Sequence, residues 1–182
     1  MQIQDGPYVL ELINEPTFTP GSADNARSYT HELVFAEPGV STSRHGIVCR
    51  VSNRELGSAI ILTGGGASGV HASSMIARRR RCYVAVGDHV VCMQIPDFEL
   101  LWKTKADNAT VFGVYFSPDG DGIVVHGELE ISMLTVDGER LWSRSGADIF
   151  SGEFTVTETH AEVEDWEKRR YRFRLMDGKD SA

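Results

Sequence analysis

Short runs of apolar and β-branched residues, each closed by a cluster of Gly, Pro, Asn or Asp, follow one another along the whole chain. Tyr8–Ile13 is the first, ended by Asn14-Glu15-Pro16. Thr17–Arg27 reads as a loop. Ser28–Ala36 then alternates, with Tyr29, His31, Leu33 and Phe35 on one face, and Glu37-Pro38-Gly39 turns the chain. Ile47–Val51 and Ser58–Leu62 follow. Runs of about four to eight such residues bounded by turn formers predict β-strands, and no useful length keeps the apolar spacing of a helix. Thr63–Gly69 is a Gly-rich connection read as flexible. Beyond it the pattern predicts strands at Ser74–Ala77, Cys82–Gly87, His89–Ile95 and Glu99–Thr104, with Arg78–Arg81 at a hairpin turn. A second group is predicted at Val111–Ser117, Ile123–His126, Glu130–Val136 and Arg140–Arg144. Its turns are Pro118–Gly122 and Asp137-Gly138, where Asp-Gly supplies the positive φ of a tight corner. A third group covers Glu153–Glu158, Glu162–Asp165 and Arg170–Met176, followed by Asp177-Gly178.

The groups are copies of one another. Val84, Gly87, Asp97 and Trp102 recur 40 positions later as Val124, Gly127, Asp137 and Trp142, and Asp137-Gly138 recurs as Asp177-Gly178. A period in this range marks a solenoid or a propeller blade. Ile131, Met133 and Thr135 share one strand face while Ser132, Leu134 and Val136 share the other, so apolar residues occupy both faces, as in a sheet covered on both sides. A tryptophan at one fixed place per unit is a large packing element between neighbouring sheets. Two full units hold four strands each and the last holds three, so Tyr8–Ile13 is the candidate to complete the last sheet from the other end of the chain.

These units resemble those of the quinoprotein-type (PQQ-like) β-propellers, whose repeat reads roughly Ala-Leu-Asp-x-x-Thr-Gly-x-x-x-Trp. The matching stretches are Cys92–Trp102, Ser132–Trp142 and Arg172–Lys179, and Phe116–Gly120 resembles a turn of the WD and TolB-like propellers. The resemblance spans Tyr83–Lys179 and implies an all-β fold: a propeller-like stack of three to four antiparallel four-stranded sheets, either closed by the N-terminal strand or left open. It is similar to small bacterial proteins built from such repeats. One domain, 1–182, is expected, with clear repeats at 74–105, 111–145 and 151–180 and a divergent part at 1–70. The family's Asp after Leu is replaced by Gln94, Leu134 and Arg174, and its Thr-Gly pair by Asp97-Phe98, Asp137-Gly138 and Asp177-Gly178. Its quinone-dependent dehydrogenases have many more blades and a calcium site, so neither cofactor nor dehydrogenase activity carries over.

Eighteen Lys and Arg against 26 Asp and Glu leave a net charge of −8, which disfavours nucleic acid and anionic membranes as partners and favours a basic protein. The N-terminus has no signal-peptide pattern and no apolar run approaches a membrane span. Cys49, Cys82 and Cys92 form no Cys-x-x-Cys and read as reduced buried thiols of a cytoplasmic protein. Asn108-Ala109-Thr110 fits a glycosylation sequon by coincidence. Thr63–Gly69 lacks the following Lys of a phosphate loop, Asp119-Gly120-Asp121 lacks the later Glu of a calcium loop, and the six histidines form no zinc-ligand array. His126, Glu128 and Asp148 are candidates for lining a cleft that holds a cation or substrate. Arg79 and Arg80, within Arg78–Arg81, are candidates for gripping an anion. The chemistry carries no nucleophile, metal or cofactor pattern. The expectation is therefore a non-catalytic protein-interaction scaffold, monomeric or homodimeric, with a ligand- or metal-binding cleft near His126 and Glu128 as the alternative.

Overall fold

The computed structural model describes residues 1–37 and 39–181, which form sixteen strands and no helix. Pro38, in the predicted Glu37–Gly39 turn, lies outside the described residues. The first sheet contains β1 (Gln2–Asp5), β2 (Tyr8–Asn14), β3 (His31–Val34), β4 (Ser43–Val51) and β5 (Arg54–Thr63), in the spatial order β1-β2-β4-β5-β3. The second is a meander of β6 (Met75–Arg78), β7 (Arg81–Val86), β8 (His89–Gln94) and β9 (Leu100–Lys105). The third repeats it with β10 (Val111–Phe116), β11 (Gly122–Gly127), β12 (Glu130–Thr135) and β13 (Arg140–Ser145). The fourth has three strands, β14 (Phe154–Val156), β15 (His160–Glu164) and β16 (Arg170–Arg174). Every pairing is antiparallel except β3 with β5, which is parallel. The first strands β1, β6 and β10 are neighbours at one edge of the stack, while β9 lies largely exposed at the other.

Strand parity explains the stacking. In β7, Cys82, Val84 and Val86 face the first sheet, joining Leu10, Leu12, Ile47, Cys49, Ala59 and Ile61 in one apolar seam. Tyr83 and Ala85, one residue out of phase, face the third sheet and meet Val114, Ile123, Val125 and Leu134. The third sheet turns Val124, Ile131 and Met133 to the fourth, against Phe150, Ala161, Val163 and Phe173. A period of two thus supplies both seams of a central sheet, and burial of these side chains drives the association of the sheets.

Each seam also carries one large knob in one hole. A β-bulge interrupts the pairing of β4 with β5, β8 with β9 and β12 with β13. It skips Leu56, Leu101 and Leu141, leaving them 42%, 42% and 58% exposed, and places Gly57, Trp102 and Trp142 next. The Trp102 indole lies on Gly138 in the next sheet's turn, where a Cβ would come within 2.6 Å of the ring. Its Nε1 donates to the Val136 carbonyl at 3.1 Å. Trp142 repeats this on Gly178, with 2.7 Å to a Cβ, and donates to the Leu175 carbonyl at 2.8 Å. In the first seam the partners are exchanged. Gly57 has no side chain because the Pro96 backbone fills that space. Phe98, standing where the other turns have Gly138 and Gly178, fills the seam from the opposite side and is fully buried. It does so at φ 58°, a left-handed conformation costing an L-residue about 1–2 kcal/mol.

Both ends of the stack are finished differently from the seams. The segment between β2 and β3 lays Phe18 and Tyr29 over Val48, Ile60 and Leu62 on the outer face of the first sheet. Tyr29 lies against Gly46 and donates its hydroxyl to Glu15 at 2.6 Å. On the fourth sheet the outer face carries Thr155, Glu162, Glu164, Arg170 and Arg172, with Arg172 on Glu162 at 2.9 Å and Arg170 on Glu164 at 3.3 Å. Exposed pairs of this kind add little stability, but they keep that face solvated. Of the two alternatives, the stack is open rather than closed by the N-terminal strand: one edge of β2 is paired with β1 and the other with β4. The outer edge of β16 is instead touched by the chain's own end, through a bridge from Phe173 to Asp180. Ser28–Ala36 is likewise a strand only over His31–Val34, carried round to the edge of β5.

Candidate functional site

The sheets have two ends, and they differ. At one end the turns after β7, β11 and β15 meet the connections between sheets, and backbone hydrogen bonds stitch neighbours together. Gly66 donates to Ala109 O at 2.7 Å, Glu128 to Thr110 O at 2.8 Å and Phe150 to Glu128 O at 2.7 Å. Asp107, buried between the second and third sheets, accepts the amides of Ala109, Leu129 and Glu130 at 2.6, 2.9 and 2.9 Å. The Gly-rich run expected to be a flexible connection is held here: Ser43 Oγ takes the Ser68 amide at 2.8 Å, and Ser68 Oγ takes that of Gly87 at 2.8 Å.

His126, Glu128 and Asp148 all lie toward this stitched end. His126 is the third residue on its face of β11, after Gly122 and Val124, and points to the fourth sheet with Val124. Its ring stacks on Phe154 at 4.3 Å, meets Phe112 edge-on at 5.3 Å, and bonds through Nε2 to the Phe150 carbonyl at 3.1 Å. Burial pushes its pKa down to about 4, so the ring is neutral and Nε2 carries the proton donated to that carbonyl. Glu128 contributes backbone bonds, and Asp148 is exposed, accepting the Ile149 amide at 2.7 Å. No hydrogen bond joins the three side chains among the described residues, and no cluster of three or more His, Cys, Asp or Glu side chains suited to a metal occurs among them. The cysteines are unpaired and buried, with Cys49 raised to about 11 and Cys92 to about 12 by burial, so all three thiols stay protonated.

The opposite end is open. There the hairpin turns β6–β7, β10–β11 and β14–β15, and the corners after β8, β12 and β16, leave two grooves separated by the β10–β11 turn. That turn is rigid: Ser117 Oγ accepts the Gly122 amide at 2.9 Å and bonds Asp119, which in turn accepts the Asp121 amide at 3.1 Å. The groove between third and fourth sheets has a volume of about 550 Å³. Met133, Leu141, Leu175 and Met176 form its apolar lining, and Asp119, Asp121 and Glu158 its acidic border. Met176 is 80% exposed. Arg174 is also in the wall but is neutralised by Asp177, bonded from Nε at 2.9 Å, an interaction that holds the Asp177 carboxyl well below the usual range.

The groove between second and third sheets holds about 390 Å³ and is lined by Arg78, Arg79, Arg81, Tyr83, Phe116, Gly120, Val136 and Asp137. Arg78 pairs with Arg81 across a two-residue turn, with Arg79 and Arg80 at φ 53° and 61°. This is the mirror-image hairpin geometry that Asn-Gly normally takes, and placing two arginines there costs about 1–2 kcal/mol each. The turn sends the adjacent candidates to different seams. Arg80 turns to the first sheet, where its amide donates to Asp5 at 2.7 Å, its Nε to Ile95 O at 3.1 Å, and its guanidinium lies over Tyr8. Arg79 faces the groove. Sequence reasoning missed Leu141, Leu175 and Met176 as surface-forming residues; the signal for Leu141 was its repetition at Leu101 and Leu56, always beside the seam position.

No family model matches the chain, and no curated protein matches it. Solved structures do. The β-propeller domain of Cps50 (Swd1) from Myceliophteria thermophila superposes with a TM-score of 0.56 at 6% identity, over 78% of this chain and 54% of that one. A crystallised segment of HIRA gives 0.53 at 10% identity, over 100% and 51%. BamB from Moraxella catarrhalis gives 0.51 at 15% identity, over 86% and 50%. The chain spans about half the length of each of these structures. At such identities the likeness concerns fold alone, and on that level the stack of antiparallel sheets is a propeller-type fold, open between its first and fourth sheets.

Proposed function

We propose that this chain is a non-catalytic protein-interaction scaffold, and that the groove between its third and fourth sheets takes an extended segment of a basic partner. The observation that carries this reading is the groove itself: Leu141 and Met176 exposed over half-buried Leu175 and buried Met133, bordered by Asp119, Asp121 and Glu158. An exposed apolar patch with a polar border is the usual mark of a docking site. The three carboxylates favour a segment in which Lys or Arg flanks an apolar side chain, in keeping with the net charge of −8. Propeller folds commonly serve as interaction platforms, which agrees with this reading without naming a partner. The protected thiols suit a reducing compartment, and we place the scaffold in the cytoplasm. The covered outer face of the first sheet and the charged one of the fourth favour a monomer over a ring completed by a second copy.

A photo-crosslinking residue placed at Leu141 tests the reading, with Leu129 at the stitched end as the control position. Peptides with Lys-Leu-Arg and Glu-Leu-Glu centres serve as probes. Labelling by the basic peptide at position 141, absent at 129 and abolished by Met176→Asp, is the expected result. Equal labelling by both peptides, or from both positions, would show that the groove does not select.

A further inference from the structure

The second groove, between the second and third sheets, has a different character. We propose that it binds a phosphate monoester dianion. Three guanidinium groups, those of Arg78, Arg79 and Arg81, line it on a protein whose net charge is −8. Two of them are held in place from the protein side. Arg81 is fixed by Asp137 at 2.8 Å and by the Val136 carbonyl at 3.4 Å. Arg78 lies over the Phe116 ring at 5.6 Å and against Gly120, where any side chain would collide with it. Tyr83, edge-on to Phe116 at 5.8 Å, backs that ring. Arg79 makes no hydrogen bond or ion pair among the described residues, although the chain adopts a left-handed conformation to present it.

Charge selects the ligand class. Asp137 is the one carboxylate in the lining and its charge is taken up by Arg81, which leaves Arg78 and Arg79 uncompensated. A carboxylate would balance one of them. A phosphate monoester, carrying about −1.5 to −2 at neutral pH, balances both and offers oxygens enough for two guanidinium forks. The volume of about 390 Å³ exceeds what an isolated phosphate needs and leaves room for the group that bears it. Strained residues gather at binding sites because the surrounding structure holds them ready; of the two left-handed arginines in this turn, Arg80 is engaged with the first sheet and Arg79 is the one presented to the groove. This site is independent of the groove assigned to the protein segment, and neither test decides the other.

Isothermal titration of the full chain tests the proposal with four probes: inorganic phosphate, phenyl phosphate, a phosphoserine pentapeptide and the same peptide with glutamate for phosphoserine. Phenyl phosphate is expected to bind, with an affinity falling about tenfold or more in Arg79→Gln and in Arg78→Gln, and unchanged in Arg144→Gln on the outer strand β13. Thermal melts of the variants establish that they are folded. A phosphopeptide about tenfold tighter than phenyl phosphate identifies the natural source as a modified protein side chain, and equal affinity identifies a small phosphorylated molecule. No binding of any phosphate probe up to about 10 mM, an unchanged affinity in Arg79→Gln, or a glutamate peptide binding as well as the phosphopeptide overturns it.

Discussion

Replacing Trp142 by alanine removes the largest knob from the seam between third and fourth sheets. The indole is 6% exposed and belongs to a cluster with Phe150, Val163 and Phe173. Truncation of a buried Trp typically costs about 3–5 kcal/mol, the loss of transferred surface plus the cavity left behind. In a chain of this length each kcal/mol lowers Tm by about 2–4 °C, so the expected fall is about 6–20 °C. Trp142→Phe keeps most of the packing but loses the Nε1 bond to Leu175 O at 2.8 Å, and should cost about 1–2 kcal/mol. Trp166, 66% exposed in the β15–β16 turn, supplies the internal control. Trp166→Ala should change stability by no more than about 0.5 kcal/mol. Circular dichroism during urea and thermal unfolding is the appropriate readout, because it does not depend on the tryptophans being altered. Should Trp142→Ala and Trp166→Ala prove equally mild, the seam is not built as described.

The exchanged knob in the first seam predicts an unusual order of substitutions. Phe98→Ala loses about 3–5 kcal/mol of packing, whereas Phe98→Gly loses the same packing but relieves the left-handed strain at φ 58°, so Gly should be the milder change by about 1 kcal/mol in urea midpoints. Acid sensitivity should come from His126. Its folded pKa, about 4, lies below the ordinary 6.5, so the unfolded chain takes up a proton first as pH falls. Stability is unaffected above the unfolded pKa and declines between about pH 6.5 and 4, by about 3 kcal/mol in total. His45, depressed by burial in the same direction, adds to the slope. His126→Phe should flatten that part of the stability profile measured by urea unfolding at successive pH values.

The central sheets were legible in the sequence because one arrangement of knob and hole is written twice at constant spacing, with Trp102 on Gly138 and Trp142 on Gly178. The first sheet was not, for two physical reasons. Its seam residues are exchanged, Gly57 for Trp and Phe98 for Gly, so the same contact carries no repeated letter. The segment that brings Phe18 and Tyr29 over the outer face also interrupts the meander between β2 and β4 and destroys the register. Strand β1 carries a single apolar residue, Ile3, too little to announce a strand. His126 stood out as a cleft residue beside Gly127 and Glu128, yet strand parity places it with Val124 in a seam. Arg79 and Arg80 are adjacent letters that a tight turn sends to opposite sides. The apolar groove is assembled from the β10–β11 and β14–β15 turns, strands β12 and β13 and the corner after β16, far apart in sequence, so no local motif announces it.

The repeated indole contact is the feature on which the arrangement of sheets rests, and the exchange of indole N–H protons in D₂O, followed by ¹⁵N-resolved NMR, tests it most directly. Trp102 and Trp142 donate to carbonyls of the neighbouring sheet at 3.1 and 2.8 Å, and Trp166 is exposed. Two slowly exchanging indole signals and one lost at once are predicted, with assignment by single Trp→Phe variants. Rapid loss of either the Trp102 or the Trp142 signal would contradict the stacked arrangement.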